Sequence, residues 1–423
     1  MMSNSDTIVI VGSGLAGVSA AGTLRESGFS GRVILVGEER ELPYDRPPLS
    51  KSVLVHDEYE ALIASHLPGD LALRAPDNIA LRPAGWYERE RIELRLGVRV
   101  SGIDAAAHRI TLADGASIDY SRLILATGSH VRRLVSLEGG PVPVAYLRTL
   151  RDAIELRRQL QPGRRIVLLG GGVIGMEVAA SAVLRECAVT VVELAERIMA
   201  RALPVEISEY LAEYHRAKGV TLRLKTPARP APSGERPGLL LEDGTHVAAD
   251  LIVVGIGVQP ETALAQAAGL RCDDGIVVDA FGATSAADVY AAGDAVRYPD
   301  AFFGCPTRSE NWMHAQNQAI AVARNVLGAA QAYSQVPHMW SDQYDLKIQV
   351  SGRYDAPEHV RRGDAARNKF MLLHLEGGRL VGATGINESR DMKYAQRLIE
   401  AGTAVDARQL ADPAFNLKKA SGA

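Results

Sequence analysis

Residues 7–17 read TIVIVGSGLAG, and residues 166–175 read IVLLGGGVIG. In each, a short β-branched run (7–11 and 166–169) passes straight into glycines, and the glycines open a helix of small residues. A second β-branched strand follows, 32–36 in the first copy and 189–192 in the second, ending close to an acid, Glu38 or Glu193. This is one βαβ unit used twice. Gly12 allows a tight turn, Gly14 lets a pyrophosphate approach the backbone, and Gly17 lets helix and strand pack closely. Gly170, Gly172 and Gly175 repeat the device. Each helix N-terminus adds free N–H groups and a partial positive charge. The acid, 21 residues beyond Gly17 or 18 beyond Gly175, suits the hydroxyls of a ribose. A single motif of this kind is weak, because such a turn is often purely structural. Two in the same context predict two dinucleotide sites in one chain. Neither loop ends in the Lys-Ser/Thr of a nucleoside triphosphatase loop.

Outward from these units, strands alternate with helical patterns over the first two thirds of the 423 residues, which suits parallel sheets and two or three domains. After about Leu327 the rhythm stops; 347–350 and 369–375 predict an antiparallel sheet, and 393–400 a helix, of a third, α+β domain. Residues 225–238, KTPARPAPSGERPG, predict a surface hairpin or loop. With 47 Lys plus Arg against 50 Asp plus Glu, the net charge of -3 offers no general attraction to nucleic acid or an anionic membrane. The N-terminus is polar and no apolar run is long enough to span a bilayer, so the expectation is a soluble, cytoplasmic protein with small-molecule or protein partners. Cys187, Cys272 and Cys305 are too widely spaced for a disulfide framework or a metal site and are expected to be buried thiols.

Further segments bear on a cofactor. In PYDRPPLSK (43–51) the prolines restrict the backbone and aim Arg46 and Lys51, or else form a rigid loop with solvated charges. Strands at 123–126 and 289–292 close on Thr127-Gly128 and Gly293-Asp294, where ligands of open α/β sheets sit. Asp294 either accepts a hydrogen bond from a ligand hydroxyl or caps a helix beginning after it, roles that are compatible. Residues 130–165 carry eight arginines (Arg132, Arg133, Arg148, Arg151, Arg157, Arg158, Arg164, Arg165) against three acids, either a docking face for an acidic partner or the coat of a solvated helix. Arg361, Arg362, Lys393 and Arg397 are a second set of candidate docking charges.

The ordered motifs GSGLAG, PYDRPPLSK, ATGS, GGGVIGME, GIGVQP, VYAAGDA and WSDQYDLKIQVSG span nearly the whole length. Together they resemble the FAD-containing ferredoxin reductases of Rieske dioxygenase and some cytochrome monooxygenase systems, the group of the biphenyl dioxygenase and putidaredoxin reductases in the pyridine nucleotide-disulfide oxidoreductase superfamily. The last motif separates this group from other two-dinucleotide flavoproteins. The resemblance implies an α/β fold class with two Rossmann-like dinucleotide-binding domains of the glutathione reductase type plus a C-terminal α+β domain. Residues 1–145 and 259–327 would bind FAD, 146–258 NADH, and 328–423 would form the last domain.

It further implies FAD on Gly12, Gly14, Leu15, Ala16, Glu38, Arg46, Lys51, Val100 at the adenine end, Ala126, Thr127, Gly128, Arg132, Asp294 and Trp312. NADH falls on Gly170, Gly172, Val173, Ile174, Gly175, Glu193 and the Gly255-Ile256-Gly257 turn, with Glu177 near the nicotinamide. Lys51 would pair with Glu177 beside the flavin N5 edge and Trp340 would lie by the ring system; Trp340 also reads as a core aromatic. A carboxylate at Glu193 would repel the 2′-phosphate of NADPH, so NADH is expected, although Arg197 and Arg201 nearby pull the other way. Residues 57–82 look longer than usual for the group and leave the local alignment open.

The implied reaction moves a hydride from nicotinamide to flavin and releases the electrons singly. No cysteine precedes Cys187, so no disulfide relay stands beside the flavin loop, and the chain holds no cluster ligands. The expected acceptor is a small iron–sulfur ferredoxin, 2Fe–2S of Rieske or plant type, feeding a terminal oxygenase. Two alternatives stay open: an NADH oxidase or rubredoxin reductase-like enzyme, and a flavin-bound redox sensor resembling apoptosis-inducing factor.

Overall fold

The structure, a computed structural model, describes residues 5–65, 75–232 and 236–422. Residues 66–74 of the long 57–82 stretch, 233–235 of the 225–238 segment and the polar 1–4 end lie outside the described residues. The chain forms two compact units: Met1–Asp45, Ser65–His130 and Gln259–Gln335 make the first, and Arg46–Ala64, Val131–Val258 and Val336–Ala423 the second.

The first unit is built on a parallel sheet in the order Val289–Ala291, Arg122–Leu125, Thr7–Val11, Arg32–Gly37, Ile92–Leu96. Its central strands are nearly continuous apolar runs because both faces are covered. On one face Ile8, Ile10, Val33 and Leu35 pack against helix Leu15–Glu26, which helix Trp312–Val326 covers along its length. On the other, Val9, Val11, Ile34 and Val36 meet the antiparallel strands Val100–Asp104 and Arg109–Leu112 through Val100, Ile110 and Leu112.

The second unit repeats the parallel pattern: Thr221–Arg223, Ala188–Val192, Arg165–Leu169, Leu251–Val254, Val144–Ala145. In both sheets the glycine loop leaves a strand flanked on one side by the next βαβ strand and on the other by a strand from much later in the chain. That is the switch point where α/β sheets bind ligands. The second unit also carries an antiparallel sheet, His338–Gln343, Leu346–Gly352, Arg379–Ile386, Lys369–Glu376, Glu358–Asp364, with helix Ser389–Ala401 packed on Gly385 through Met392. This matches the expected C-terminal α+β region. Of the 225–238 segment, the described residues Ala228–Pro230 pair antiparallel with strand Gly238–Leu241.

Several sequence expectations need correction. No helix begins directly after Asp294; a turn leads instead into strand Val296–Asp300, so the helix-cap role is absent. Only Cys187 is buried, whereas Cys305 is exposed. Two candidate docking arginines are interior. Arg157 is buried, with its guanidinium on the carbonyls of Val53 and His56 and on Glu60, and so ties residues 53–60 to helix Leu150–Gln159. Arg362 is buried against the Asp391 carboxylate and the carbonyls of Leu410, Asp412, Pro413 and Phe415, holding the C-terminal segment on its sheet. Arg361 pairs with Glu206.

Candidate functional site

The two glycine loops superpose residue for residue in their constraints. Gly12 has φ +114° and a Cβ there would lie 2.0 Å from the Ala126 carbonyl oxygen; Gly170 has φ +105° and the same atom would lie 2.4 Å from the Gly255 oxygen. Both positions therefore exclude every side chain. At Gly17 and Gly175 a Cβ would strike the carbonyl oxygen of Gly12 or Gly170, at 1.9 and 2.1 Å. At Gly14 and Gly172 it would meet nothing within 4 Å. Protein packing does not demand glycine there, and closely approaching phosphates do.

Helix capping points the same way. Gly14 and Gly172 are the N-caps of Leu15–Glu26 and Val173–Leu184, and neither helix has a side-chain cap or an acid in its first turn. By contrast, Thr149 and Asp152 form a capping box on Leu150–Gln159, and Asn311 caps Trp312–Val326. First-turn N–H groups without intrahelical partners bind anions, so the two loop helices fit pyrophosphates. The residues present fit two dinucleotides.

Third-strand turns complete each cradle. Residues Ala126-Thr127-Gly128 and Gly255-Ile256-Gly257 occupy equivalent places, with Ala126 N–H on Val11 and Gly255 N–H on Leu169, both 2.7–2.8 Å. Gly128 and Gly257 are both left-handed, φ +72° and +100°. Thr127 Oγ1 donates to the Glu261 carbonyl at 2.7 Å.

The acids are not equivalent. Register sets Val36 against Val11 and Val192 against Leu169, so Glu193 stands where the first cradle has Gly37, and Glu38 lies one residue later. Ser13 fills the space over Gly37, whose Cβ would sit 2.1 Å from Ser13 Oγ. In the second cradle Gly171 leaves that room to Glu193, whose Oε2 accepts from the Gly171 N–H at 2.5 Å and Oε1 from the Ala195 N–H at 2.7 Å. Glu38 is exposed at the end of its strand. Arg197 donates to the carbonyls of Leu203 and Ala200, which commits it to its own loop.

The remaining first-unit candidates surround the first cradle's own elements. A Cβ added at Gly293 would lie 3.0 Å from Ala16 Cβ; Gly293 donates its N–H to Gln318 Oε1, and Ser129 Oγ donates to Asp294 Oδ2 at 3.1 Å. Trp312 opens its helix with Nε1 on Asp45 Oδ1, 2.6 Å. Val100 is buried at the start of its strand.

Arg46, Lys51, Arg132, Glu177 and Trp340 belong to the second unit. Arg46 donates to the Arg148 carbonyl and the Arg132 N–H to Gly257. Glu177, on the helix that opens from the second cradle, is 2% exposed. Its Oε2 meets Lys51 Nζ at 2.9 Å and Ser50 Oγ at 2.5 Å, and its Oε1 accepts from Ser341 Oγ at 2.7 Å. A carboxylate this buried is tolerable only when paired and hydrogen-bonded, and this one is both. The Lys51 and Glu177 pairing was legible only through the family resemblance. The roles of Ser50 and Ser341 were missed, although the two serines lie inside the quoted PYDRPPLSK and WSDQYDLKIQVSG motifs. Trp340, half-buried and paired across strands with Gln349, alternates with Ser341 and so faces the other side of the sheet.

Among known proteins, the family model described as pyridine nucleotide-disulphide oxidoreductase matches residues 6–319, and one described as reductase C-terminal matches 338–421. The chain is 42% identical, over 98% of its length and 99% of the relative's, to the anthranilate 1,2-dioxygenase system ferredoxin–NAD(+) reductase component of Burkholderia cepacia. Two solved structures are similar across essentially the full chain. One is a ferredoxin reductase from Rhodopseudomonas palustris, with TM-score 0.88 and 36% identity, covering 98% of this chain and 100% of that one. The other is a covalent putidaredoxin reductase–putidaredoxin complex, with TM-score 0.89 and 33% identity, covering 99% of each chain.

Proposed function

Because the chain belongs to the pyridine nucleotide-disulphide oxidoreductase family, we propose that it is an NADH:ferredoxin oxidoreductase that supplies electrons to an oxygenase system. The observation that carries this reading is the pair of matched cradles, with Lys51 paired to the buried Glu177 of the helix that leaves the second. The family implies FAD and a nicotinamide dinucleotide. When bound, FAD accepts two electrons together and returns them one at a time. The three cysteines of the chain are all free, so the electrons pass to an external acceptor, a 2Fe–2S ferredoxin. The relatives named for dioxygenase systems and the structural neighbour joined to putidaredoxin support that choice.

In this reading residues 1–145 and 259–327 hold FAD, 146–258 hold NADH and 328–423 form the last domain of a cytoplasmic enzyme. The first-turn N–H groups after Gly14 take the FAD pyrophosphate, Glu38 the adenosine ribose, and Asp294, oriented by Ser129, a ribityl hydroxyl. Leu15, Ala16, Val100, Ala126, Thr127, Gly128, Arg46, Arg132 and Trp312 line the cofactor. On the other side Gly170, Gly172, Val173, Ile174, Gly175 and the 255–257 turn hold NADH. Glu193, fixed by the Gly171 N–H, accepts from the ribose and disfavours a 2′-phosphate. Arg197 is committed elsewhere, which strengthens the NADH preference. Lys51 supplies positive charge against the reduced ring, Glu177 holds the ammonium in place, and Trp340 lies by the ring system.

The test is anaerobic titration of the FAD-loaded protein with NADH, followed by a panel of 2Fe–2S ferredoxins. Stoichiometric bleaching and rapid ferredoxin reduction are expected. A flavin that NADH leaves oxidised would sink the proposal, and oxygen consumption outrunning ferredoxin reduction would move it to an oxidase. Glu177→Gln is expected to slow flavin reduction by about a hundredfold with FAD still bound, the cost of about 2.7 kcal/mol.

A further inference from the structure

The hydrogen bonds on Glu177 do not stop at Ser341. Gln343 Nε2 reaches Ser341 Oγ at 3.0 Å, Gln343 Oε1 reaches His215 Nε2 at 2.8 Å, and His215 Nδ1 meets the Tyr344 hydroxyl at 3.2 Å. Ser341, Gln343 and His215 are essentially excluded from solvent. The chain thus runs from Tyr344, through a histidine of helix Val205–Ala217 and two residues of the edge strand His338–Gln343 of the C-terminal sheet, to the ion pair.

Its polarity follows from chemistry alone. An ionised carboxylate only accepts, so Ser341 must donate to Glu177 and its oxygen must accept from the Gln343 amide nitrogen. Gln343 then has only its oxygen for His215, which must carry its proton on Nε2 and accept from Tyr344 on Nδ1. Burial lowers the His215 pKa to about 4, so the ring is neutral at pH 7 and able to play both parts. Every donor in the series points towards Glu177. Ser50, whose own carbonyl accepts from Ser181 Oγ at 2.7 Å, donates from the opposite side.

We propose that Ser341, backed by Gln343, His215 and Tyr344, is a positioning relay through which the C-terminal sheet fixes the Glu177 carboxylate and thereby sets the rate of flavin reduction. The inference rests on the reading that the Lys51–Glu177 pair acts beside the flavin. Ser341 and Gln343 touch no cofactor in it; they act through Glu177.

Two measurements on the FAD-loaded protein test it. In the first, nitrogen-15 spectra of labelled histidine, assigned with His215→Gln, are expected to show His215 as the neutral Nε2–H tautomer. An Nδ1–H tautomer reverses the whole chain and overturns the relay. In the second, stopped-flow reduction by NADH is expected to slow by about tenfold in Ser341→Ala and by about threefold in Gln343→Met, with flavin content and NADH Kd unchanged, as for loss of one hydrogen bond to a charged group. In a Glu177→Gln background the Ser341→Ala change is expected to add less than about twofold, because the two act as one unit. A full tenfold effect in that background would mean an unrelated structural role. A Glu177→Gln protein reducing at the wild-type rate overturns both the ion-pair reading and the relay. A slow Glu177→Gln protein with wild-type rates in Ser341→Ala and Gln343→Met overturns the relay alone.

Discussion

The two cradles share a backbone and differ in what closes over it. In the first, Ala16 is buried beneath the Gly293 turn, and a second helix covers the loop helix. At the matching place in the second, Ile174 is 47% exposed, and Leu194 and Ile256, at the ends of neighbouring strands, are 71% and 38% exposed. A closed polar cradle suits a cofactor that stays, whereas an open rim of apolar side chains suits one that binds, reacts and leaves. Serine over glycine in one (Ser13, Gly37) and glycine under glutamate in the other (Gly171, Glu193) is the same volume divided differently. Only the second division turns a carboxylate into the loop.

Breaking the first cradle should have the larger effect. Gly12→Ala drives a Cβ to 2.0 Å from a backbone oxygen at φ +114°, and the purified protein is expected to lose FAD by about a thousandfold in affinity, read from flavin absorbance per chain. Retained stoichiometric flavin would mean that the first loop does not hold the pyrophosphate. Next in size is Gly171→Ser, which crowds Glu193 and Ile198; NADH Kd is expected to rise about tenfold, whereas Ser13→Gly changes FAD binding by less than about threefold. Equal penalties on the two ligands would erase the distinction drawn between the cradles.

The pH dependence is expected to differ least. In the second unit burial lowers His215 and His374 to about 4, with His338 lowered too, while the first unit has His314 at about 4. Such groups are neutral when folded and take up protons when unfolded as pH falls below their ordinary value of about 6.5. Stability is therefore full above that pH and lost on acidification towards 4. The second unit should weaken more steeply, by roughly 1.4 kcal/mol per pH unit for each additional such histidine. Hydrogen exchange at pH 7 and pH 5 measures it, and parallel losses in the two units would contradict it.

Much of this was legible in the sequence because glycine constraints are local. Strands, loops and helices at 7–17 and 166–175 fell where the pattern put them, since the turn, the close packing and the open position are each decided within a few residues. Glu38 and Glu193 looked alike because counting residues from a glycine ignores strand register, which placed them one position apart. Arg157 and Arg362 read as surface charge because a one-dimensional census of arginines cannot show carbonyl groups converging from distant segments. Ser50 and Ser341 were invisible for the same reason: their meaning comes from Glu177, 127 and 164 residues away.

The central claim, that one cradle keeps FAD while its near copy takes NADH, is tested most directly by Gly170→Ala. Its Cβ would lie 2.4 Å from the Gly255 oxygen, as damaging to the second loop as Gly12→Ala is to the first. The account predicts a yellow protein with full FAD that dithionite bleaches and NADH does not. A colourless protein, or a yellow one that NADH reduces at the wild-type rate, would contradict it.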